Sequence, residues 1–341
     1  MKNKKLLFSI PLVALLATGC VGKRYYDSNA YVIPLLWNNY ESEDFRVLQL
    51  GDIHFSQSDV FEKHFKIIDK TVETANADLI VLNGDSFTFA DKHVVNKLFE
   101  HINSYNIPWT FTFGNHDDQG YYKDTYIPRL LASNKYENAL FKNLEDDNVT
   151  GRSNFVINLK QGEESVYNIF ILESHSINFD TMGYDFIKQD QIDWFERVST
   201  DMKKDGNFLP SSVYMHIAPS EFYIGGKEAL NKPEMVLLGS TDEWEGGPDP
   251  ESDTHFFAKA KECGLRSMHC AHDHINDSVI YYEDVYCAFG VHSTDRIYKD
   301  DAKIGGQVLK INHQNLELGF ENIYVDKNTL KVNVLTAKEA K

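Results

Sequence analysis

The chain has 341 residues, 42% of them apolar and 25% charged, with a formal net charge of −17. That length is ample for one large core, and that charge weighs against wrapping a nucleic-acid polymer or an anionic surface. Four cysteines, none in C-x-x-C spacing, argue against both a disulfide framework and a thiolate zinc site.

At the start, Lys2, Lys4 and Lys5 precede an apolar run at 6–16, which ends in Ala17-Thr18-Gly19-Cys20. A basic start, an apolar stretch too short to span a bilayer stably, and small residues before a cysteine predict a signal segment over 1–19 rather than a transmembrane helix. The run resembles a bacterial lipobox, with Ala17 where leucine is more usual. That resemblance implies cleavage before Cys20, acylation of its sulfur and a chain held at the extracytoplasmic face of the cell membrane. More than one acyl chain would anchor stably where one would not. A simple secretory peptide cut nearby is the alternative. Residues 20–44 then read as a polar, aromatic-spotted spacer and 45–341 as the folded domain. Loss of 1–19 removes three lysines and no acids, so the formal charge moves from −17 to −20.

Three short apolar runs follow, Phe45–Leu50, 79–82 and 107–113, rich in β-branched and aromatic residues and short enough to be buried strands. Helical spacing over 59–76 and 91–105, each with an aspartate near its start, places a helix in each gap. Strand, crossover helix and strand, repeated, imply a mostly parallel sheet whose ligands sit beyond the strands' carboxyl ends. Further strands are expected at 167–172, 212–216, 266–270, Val279–Tyr282 and Val285–Phe289, with one helix at 189–203. A hairpin pair at 306–311 and 316–324 turns through the polar Asn312-His313-Gln314-Asn315. These late strands suit a second sheet, and 330–335 a final edge strand. Segments 118–150, 175–190 and 220–255 are expected as rim loops. The acidic stretch 242–253 reads as a solvated insertion or, through Trp244, as a substrate-selecting rim.

Five polar islands interrupt these apolar runs: Gly51-Asp52-Ile53-His54, Asn83-Gly84-Asp85, Gly114-Asn115-His116-Asp117, Met215-His216 and Ala271-His272-Asp273-His274, with Gly290-Val291-His292 behind them. Any one alone is more often a turn or a solvated loop. Together they supply carboxylates, imidazoles and a carboxamide, a mixed oxygen and nitrogen set that suits Zn, Fe or Mn. A carboxylate can bridge two cations, and a pair about 3.5–4 Å apart can clamp a phosphoryl group. The inventory divides as Asp52, His54, Asp85 and His274 for one ion, and Asp85, Asn115, His216 and His272 for the other. His116 is left to protonate a leaving oxygen or hold the transferring group, and Asp117 to fix that imidazole's tautomer.

These blocks resemble those of calcineurin-like metallophosphoesterases: D-x-H, G-D, G-N-H-[DE], H and G-H-x-H all have counterparts, in order. Similarity to the small purple-acid-phosphatase-like branch extends to Gly183-Tyr184-Asp185-Phe186-Ile187 with Gln191 and Trp194, to Met215-His216-Ile217-Ala218-Pro219-Ser220-Glu221-Phe222, and to His272-Asp273-His274-Ile275-Asn276-Asp277. The resemblance spans about 45–324. It implies an α/β four-layer αββα sandwich of two mixed sheets flanked by helices. It also implies two divalent or mixed-valence ions (Mn, Fe or Zn), and hydrolysis of a small phosphoester by a metal-held hydroxide. A phosphodiesterase or nucleotidase with the same centre, and a catalytically idle binding lipoprotein, are the alternatives. Ala271 departs from the usual glycine. Phe87 and Thr88 stand where a purple enzyme would carry its iron-bound tyrosine, so no purple chromophore is expected.

Of the remaining histidines, His64, His93, His101, His255, His269 and His313 are expected to be surface or ordinarily packed. His175 and His292 each follow an apolar run and are expected to line the pocket. Cys270 and Cys287 could pair or stay buried thiols.

Overall fold

The computed structural model describes residues 31–57, 60–88, 91–117, 126–142, 149–242, 247–248, 254–296 and 303–338. The signal segment, Cys20, Trp244 and most of the acidic stretch lie outside them.

In chain order the elements are β1 (Val32–Leu36), β2 (Phe45–Leu50), α1 (Phe61–Ala75), β3 (Leu79–Asn83), α2 (Lys92–Asn103), β4 (Trp109–Thr112), α3 (Tyr126–Ala132), β5 (Phe155–Gln161) and β6 (Glu164–Ile171). A small pair, β7 (Ile177–Asn178) and β8 (Gly183–Tyr184), precedes α4 (Gln189–Asp201), β9 (Ser211–Tyr214), α5 (Ser220–Asn231), β10 (Val236–Leu238) and α6 (Phe256–Glu262). Then come β11 (Leu265–Cys270), β12 (Val279–Tyr282), β13 (Val285–Phe289), β14 (Gly305–Ile311), β15 (Leu318–Val325) and β16 (Val332–Thr336). Two large mixed sheets result, one ordered β1-β5-β6-β9-β11-β13-β12-β10 and the other β16-β15-β14-β2-β3-β4. Strands β2, β3 and β4 are parallel, as the intervening helices α1 and α2 require.

The period of two along each strand builds the layers. Val47, Leu79, Val81, Ile157, Leu159, Ile169 and Ile171 meet between the sheets. Their neighbours Leu48, Leu50, Ile80 and Leu82 face outward onto α1 and α2, while Val156, Phe170 and Leu172 face outward onto α4, α5 and α6. Helix, sheet, sheet, helix is therefore written into the alternation, and the strands read as continuous apolar runs because both faces are covered.

Four expectations change. The late hairpin does not join the second sheet; β14 lies antiparallel to β2 in the first, covering the β2 edge that the outward march to β4 leaves open. Residues 31–44 are not all spacer, because β1 pairs in parallel with β5 and Tyr31 and Trp37 are buried. Segments 118–150 and 220–255 are not all loop, since α3 lies within the first and α5 and β10 within the second. Among the described residues, the second half carries three α-helices rather than one. Cys270 and Cys287 are free and buried on neighbouring strands, Cys270 opposite Phe289 and Cys287 opposite Met268.

Amide side chains tie the two sheets together where the site lies. Gln49 Nε2 donates to the Cys270 carbonyl at 2.9 Å, Asn83 Nδ2 to Met215 and His269 at 3.1 and 3.2 Å, and Gln307 Nε2 to Phe289 at 3.0 Å. All three residues are buried, so each bond satisfies a polar group that would otherwise be costly.

Candidate metal centre

Every island emerges from the carboxyl end of a strand. Asp52 and His54 follow β2, Asp85 follows β3, and Asn115 and His116 follow β4; from the facing sheet, His216 follows β9, and His272 and His274 follow β11. The backbone must turn sharply to aim them inward. Asp52, His54, Asp85 and His272 sit at φ of 53°, 53°, 47° and 72°, a left-handed region that costs a side-chain-bearing residue about 1–3 kcal/mol. Close approach explains the glycines beside them. A Cβ on Gly114 would lie 2.2 Å from Asp85 Oδ1, so only glycine lets the loop after β4 close over that carboxylate. Ala271 is accommodated because residue 51 opposite it is glycine, whose Cβ would lie 2.8 Å from that of Ala271.

Asp85 stands at the middle. Its Oδ2 lies 3.6 Å from His54 Nε2 and 3.2 Å from His216 Nε2, and its Oδ1 accepts from the His116 amide at 2.7 Å. To one side, Asp52 Oδ1 is 3.2 Å from His274 Nε2, and the Asp52 oxygens accept from the His272 amide at 3.2 and 3.3 Å. To the other, Asn115 Oδ1 is 3.1 Å from His216 Nε2. Ligand atoms within 4.8 Å of one another form three groups: Asp52, His54 and His274; His54, Asp85 and His116; Asp85, His216 and His272. Asp85 thus joins the two ligand sets, and all seven expected ligands meet at one place.

The buried atoms fit cations. His54 Nε2 and His272 Nε2 are buried without a hydrogen-bond partner, an arrangement that needs an explanation in a folded interior. Burial lowers both imidazoles to about 4, so both are neutral near pH 7, the form that ligates. Burial opposes a charge on His216 too, but Asp85 outweighs it and raises the ring to about 9. Its Nε2 faces Asp85 Oδ2 at 3.2 Å and Asn115 Oδ1 at 3.1 Å, an opening a cation would fill in place of a proton. Burial also raises the Asp52 carboxyl, yet His274 outweighs it and holds the group at about 2. Asp85 is held lower still, burial being outweighed chiefly by His216.

Two residues outside the expected ligand set support it. His216 Nδ1 lies 3.0 Å from the Asn83 carbonyl; a carbonyl can only accept, so Nδ1 donates and Nε2 faces the centre. Thr88 Oγ1 lies 2.8 Å from His54 Nδ1 and orients that ring in the same way. Thr88→Val should therefore weaken cation affinity about 10- to 100-fold, measured by chelator competition, and unchanged affinity would remove Thr88 from the site.

Asp117 departs from its expected role. Its carboxylate oxygens accept from the Phe87 amide at 2.9 Å and the Gly114 amide at 2.8 Å. It lashes together the loops after β3 and β4 rather than orienting the His116 imidazole. Its carboxyl is pushed well up, by burial first and then by Asp85.

His116 is partly buried, its ring 5.0 Å from that of His54. His175 Nε2 bonds Gln191 Oε1 at 2.8 Å, next to Ser176, whose Oγ reaches the Asn115 carbonyl at 3.4 Å. His292 is buried with its ring 6.3 Å from that of His274 and Nδ1 on the Thr294 carbonyl at 2.9 Å. It backs the site rather than lining an open pocket. His269, as expected, is ordinary core, stacked on Tyr214 at 4.4 Å.

Residues 45–275 match the family model for calcineurin-like phosphoesterases. The chain belongs to that family. Calcineurin-like phosphoesterases hydrolyse phosphoester bonds, and this family, with the ligand groups above, indicates a dinuclear metal centre. Among named relatives, "Probable inactive purple acid phosphatase 29" of Arabidopsis thaliana is 25% identical over 276 residues, 69% of this chain and 68% of that protein. "Phosphatase DCR2" of Saccharomyces cerevisiae is 23% identical over 287 residues, 75% of this chain but 48% of the yeast protein, so this calcineurin-like chain matches about half of that relative's length. Of solved structures, a dimetal phosphatase from Danio rerio aligns at TM-score 0.51 and 9% identity, covering 87% of this chain and all of its own. GAP50, the anchor in the inner membrane complex of Plasmodium, aligns at 0.52 and 13%, covering 88% and 90%. At such identities the likeness establishes the fold alone.

Proposed function

We propose that the chain is a metal-dependent phosphatase acting on a small phosphoester, tethered by an acylated Cys20 outside the cytoplasmic membrane. One observation carries the chemistry: a single buried carboxylate, Asp85, faces imidazoles from both sheets, with Asp52, Asn115, His272 and His274 completing two ligand sets. A relative named inactive does not transfer that label, because here the ligand blocks converge. The lipobox-like Ala17-Thr18-Gly19-Cys20 behind three lysines supports the tether.

A bound cation pair would polarise the phosphoryl oxygens and make water a stronger nucleophile at neutral pH. The protein's own part is geometric and protonic. Asp52, His54, Asp85, Asn115, His216, His272 and His274 hold their donor atoms in fixed directions, so little reorganisation accompanies charge development. His116, held by its amide to Asp85 Oδ1 and half-buried, would give a proton to the departing oxygen or a hydrogen bond to the phosphoryl group. The new bond joins water oxygen to phosphorus, the ester bond breaks, and an alcohol and phosphate leave.

Chelator-stripped protein should regain aryl phosphate hydrolysis when Mn, Zn or Fe is restored. Faster turnover of diesters or nucleotides would move the assignment to a phosphodiesterase or nucleotidase. Failure to bind cations and hydrolyse any phosphoester would overturn it.

A further inference from the structure

Beside the metal centre stands a short hairpin with an unusual surface. β7 and β8 pair Ile177 with Tyr184 and Asn178 with Gly183. Phe179 is 82% exposed, Met182 77% and Ile177 47%. Phe179 and Met182 are the two most exposed large apolar side chains among the described residues. Scattered exposed apolar residues are ordinary, but three within one eight-residue hairpin mark a contact surface.

The hairpin is fixed to the site at both feet. At one foot, Ser176 Oγ donates to the Asn115 carbonyl, and Ser176 O accepts from the Asp185 amide at 3.1 Å. At the other, the Tyr184 ring packs edge-on against His272 with centroids 4.3 Å apart, and Tyr184 bridges to Pro248. The tip is organised from within. Asn178 Oδ1 accepts from the amides of Asp180 and Thr181 at 2.9 and 3.4 Å, and Thr181 Oγ1 from Gly183 at 3.3 Å. At about 3.3 Å per strand residue, the apolar tip lies within roughly 10 Å of Tyr184. The chain thus holds a preorganised apolar edge beside the cluster of metal-ligand candidates. None of the three side chains offers a donor or a charge, so the body they meet is apolar.

Resting on the phosphoesterase reading above, we propose that the substrate is a phosphomonoester whose leaving group has an apolar alkyl or aryl body, and that Ile177, Phe179 and Met182 recognise that body while the metal ligands hold the phosphoryl end. Such a group could come from a soluble ester or from a lipid at a membrane surface; the chemistry at the rim is the same.

The test uses the metal-loaded protein and the double variant Phe179→Ser with Met182→Ser, both exposed and outside the ligand set. Binding of octylphosphonate and methylphosphonate is measured by calorimetry, and kcat/KM for octyl phosphate and glycerol phosphate beside it. The wild type should favour the octyl member of each pair, and the variant should lose about tenfold on the octyl compounds alone, the scale of a few lost methylene contacts. Equal loss on both members, or no preference in the wild type, overturns the proposal. Hairpin-dependent preference for octylphosphonate without hydrolysis keeps the recognition surface and overturns the hydrolase reading instead. Vesicles of phosphatidic acid in phosphatidylcholine separate the sources: hairpin-dependent turnover there assigns a lipid, and turnover confined to monomeric octyl phosphate assigns a soluble ester. Both outcomes support an apolar leaving group.

Discussion

Asp85→Asn should cost at least about 10³-fold in kcat/KM, since it removes charge from the middle of a preorganised electrostatic site. The change is local. Asparagine tolerates the left-handed backbone found at φ 47°, and its amide oxygen can still accept from the His116 N–H. What disappears is the second anionic oxygen, which faces His54 at 3.6 Å and His216 at 3.2 Å. Bound metal should fall below two ions per chain, read by elemental analysis, while the circular dichroism spectrum stays that of the parent. Full activity with two ions retained would show that this carboxylate does not bridge the centre.

Glu173→Gln should lower stability by about 3 kcal/mol, within the range for breaking a buried ion pair, and the melting temperature by roughly 5–10 °C. Glu173 is buried two residues beyond β6, with both oxygens taken by Arg152: the Arg152 amide donates to Oε2 at 2.5 Å and Nε to both oxygens at 3.1 and 3.2 Å. That guanidinium lies 4.0 Å over the Phe113 ring, next to Gly114 and Asn115. Glutamine keeps the shape but takes away the charge that Glu173 sets against a largely buried guanidinium. Burial alone would raise the Glu173 carboxyl; Arg152, with a smaller contribution from His175, outweighs it and holds it below the ordinary 4.5. As pH falls the unfolded chain therefore takes up the proton first. The gap between wild type and variant should be full at pH 7, shrink below about pH 4.5, and close as the folded carboxyl itself titrates. A gap that widened in acid would refute the pairing.

Most of the metal centre was legible because its residues sit where an apolar run breaks. A buried strand allows few polar residues until it leaves the sheet, so Asp52, Asp85 and Asn115 stand out against what precedes them. β2 begins and ends where the sequence puts it, Phe45–Leu50. The residues that orient the ligands were hidden by the same logic. Gln49 lies inside an apolar run and Asn83 stands in an island without an expected role, and only a facing sheet gives them carbonyls to bond. Thr88 is silent until His54 is seen 2.8 Å away.

The misplaced elements fail for a long-range reason. Nothing local in β14 says that it pairs with β2 rather than with a strand of the other sheet, since register and neighbour are properties of the whole chain. β1 was obscured by Pro34 and by its five-residue length, and α5 by Gly225-Gly226, which depress helix propensity. Asp117 went wrong because proximity in sequence to His116 suggested a partner, whereas two backbone amides claim it.

The two ligand-bearing portions of the chain meet at a seam. Asp52, His54, Asp85 and Asn115 arrive on one sheet, and His216, His272 and His274 on the other, with Gln49, Asn83 and Gln307 clasping the join. Ion uptake by such a centre acts as a rivet through both leaves of the sandwich. In the stripped protein the leaves keep their hydrogen bonds at that end, among them those of Gln49, Asn83 and Gln307 and that from the His272 amide to Asp52, but lose the ions' hold, so metal loss would loosen the mouth of the enzyme before the body of the fold.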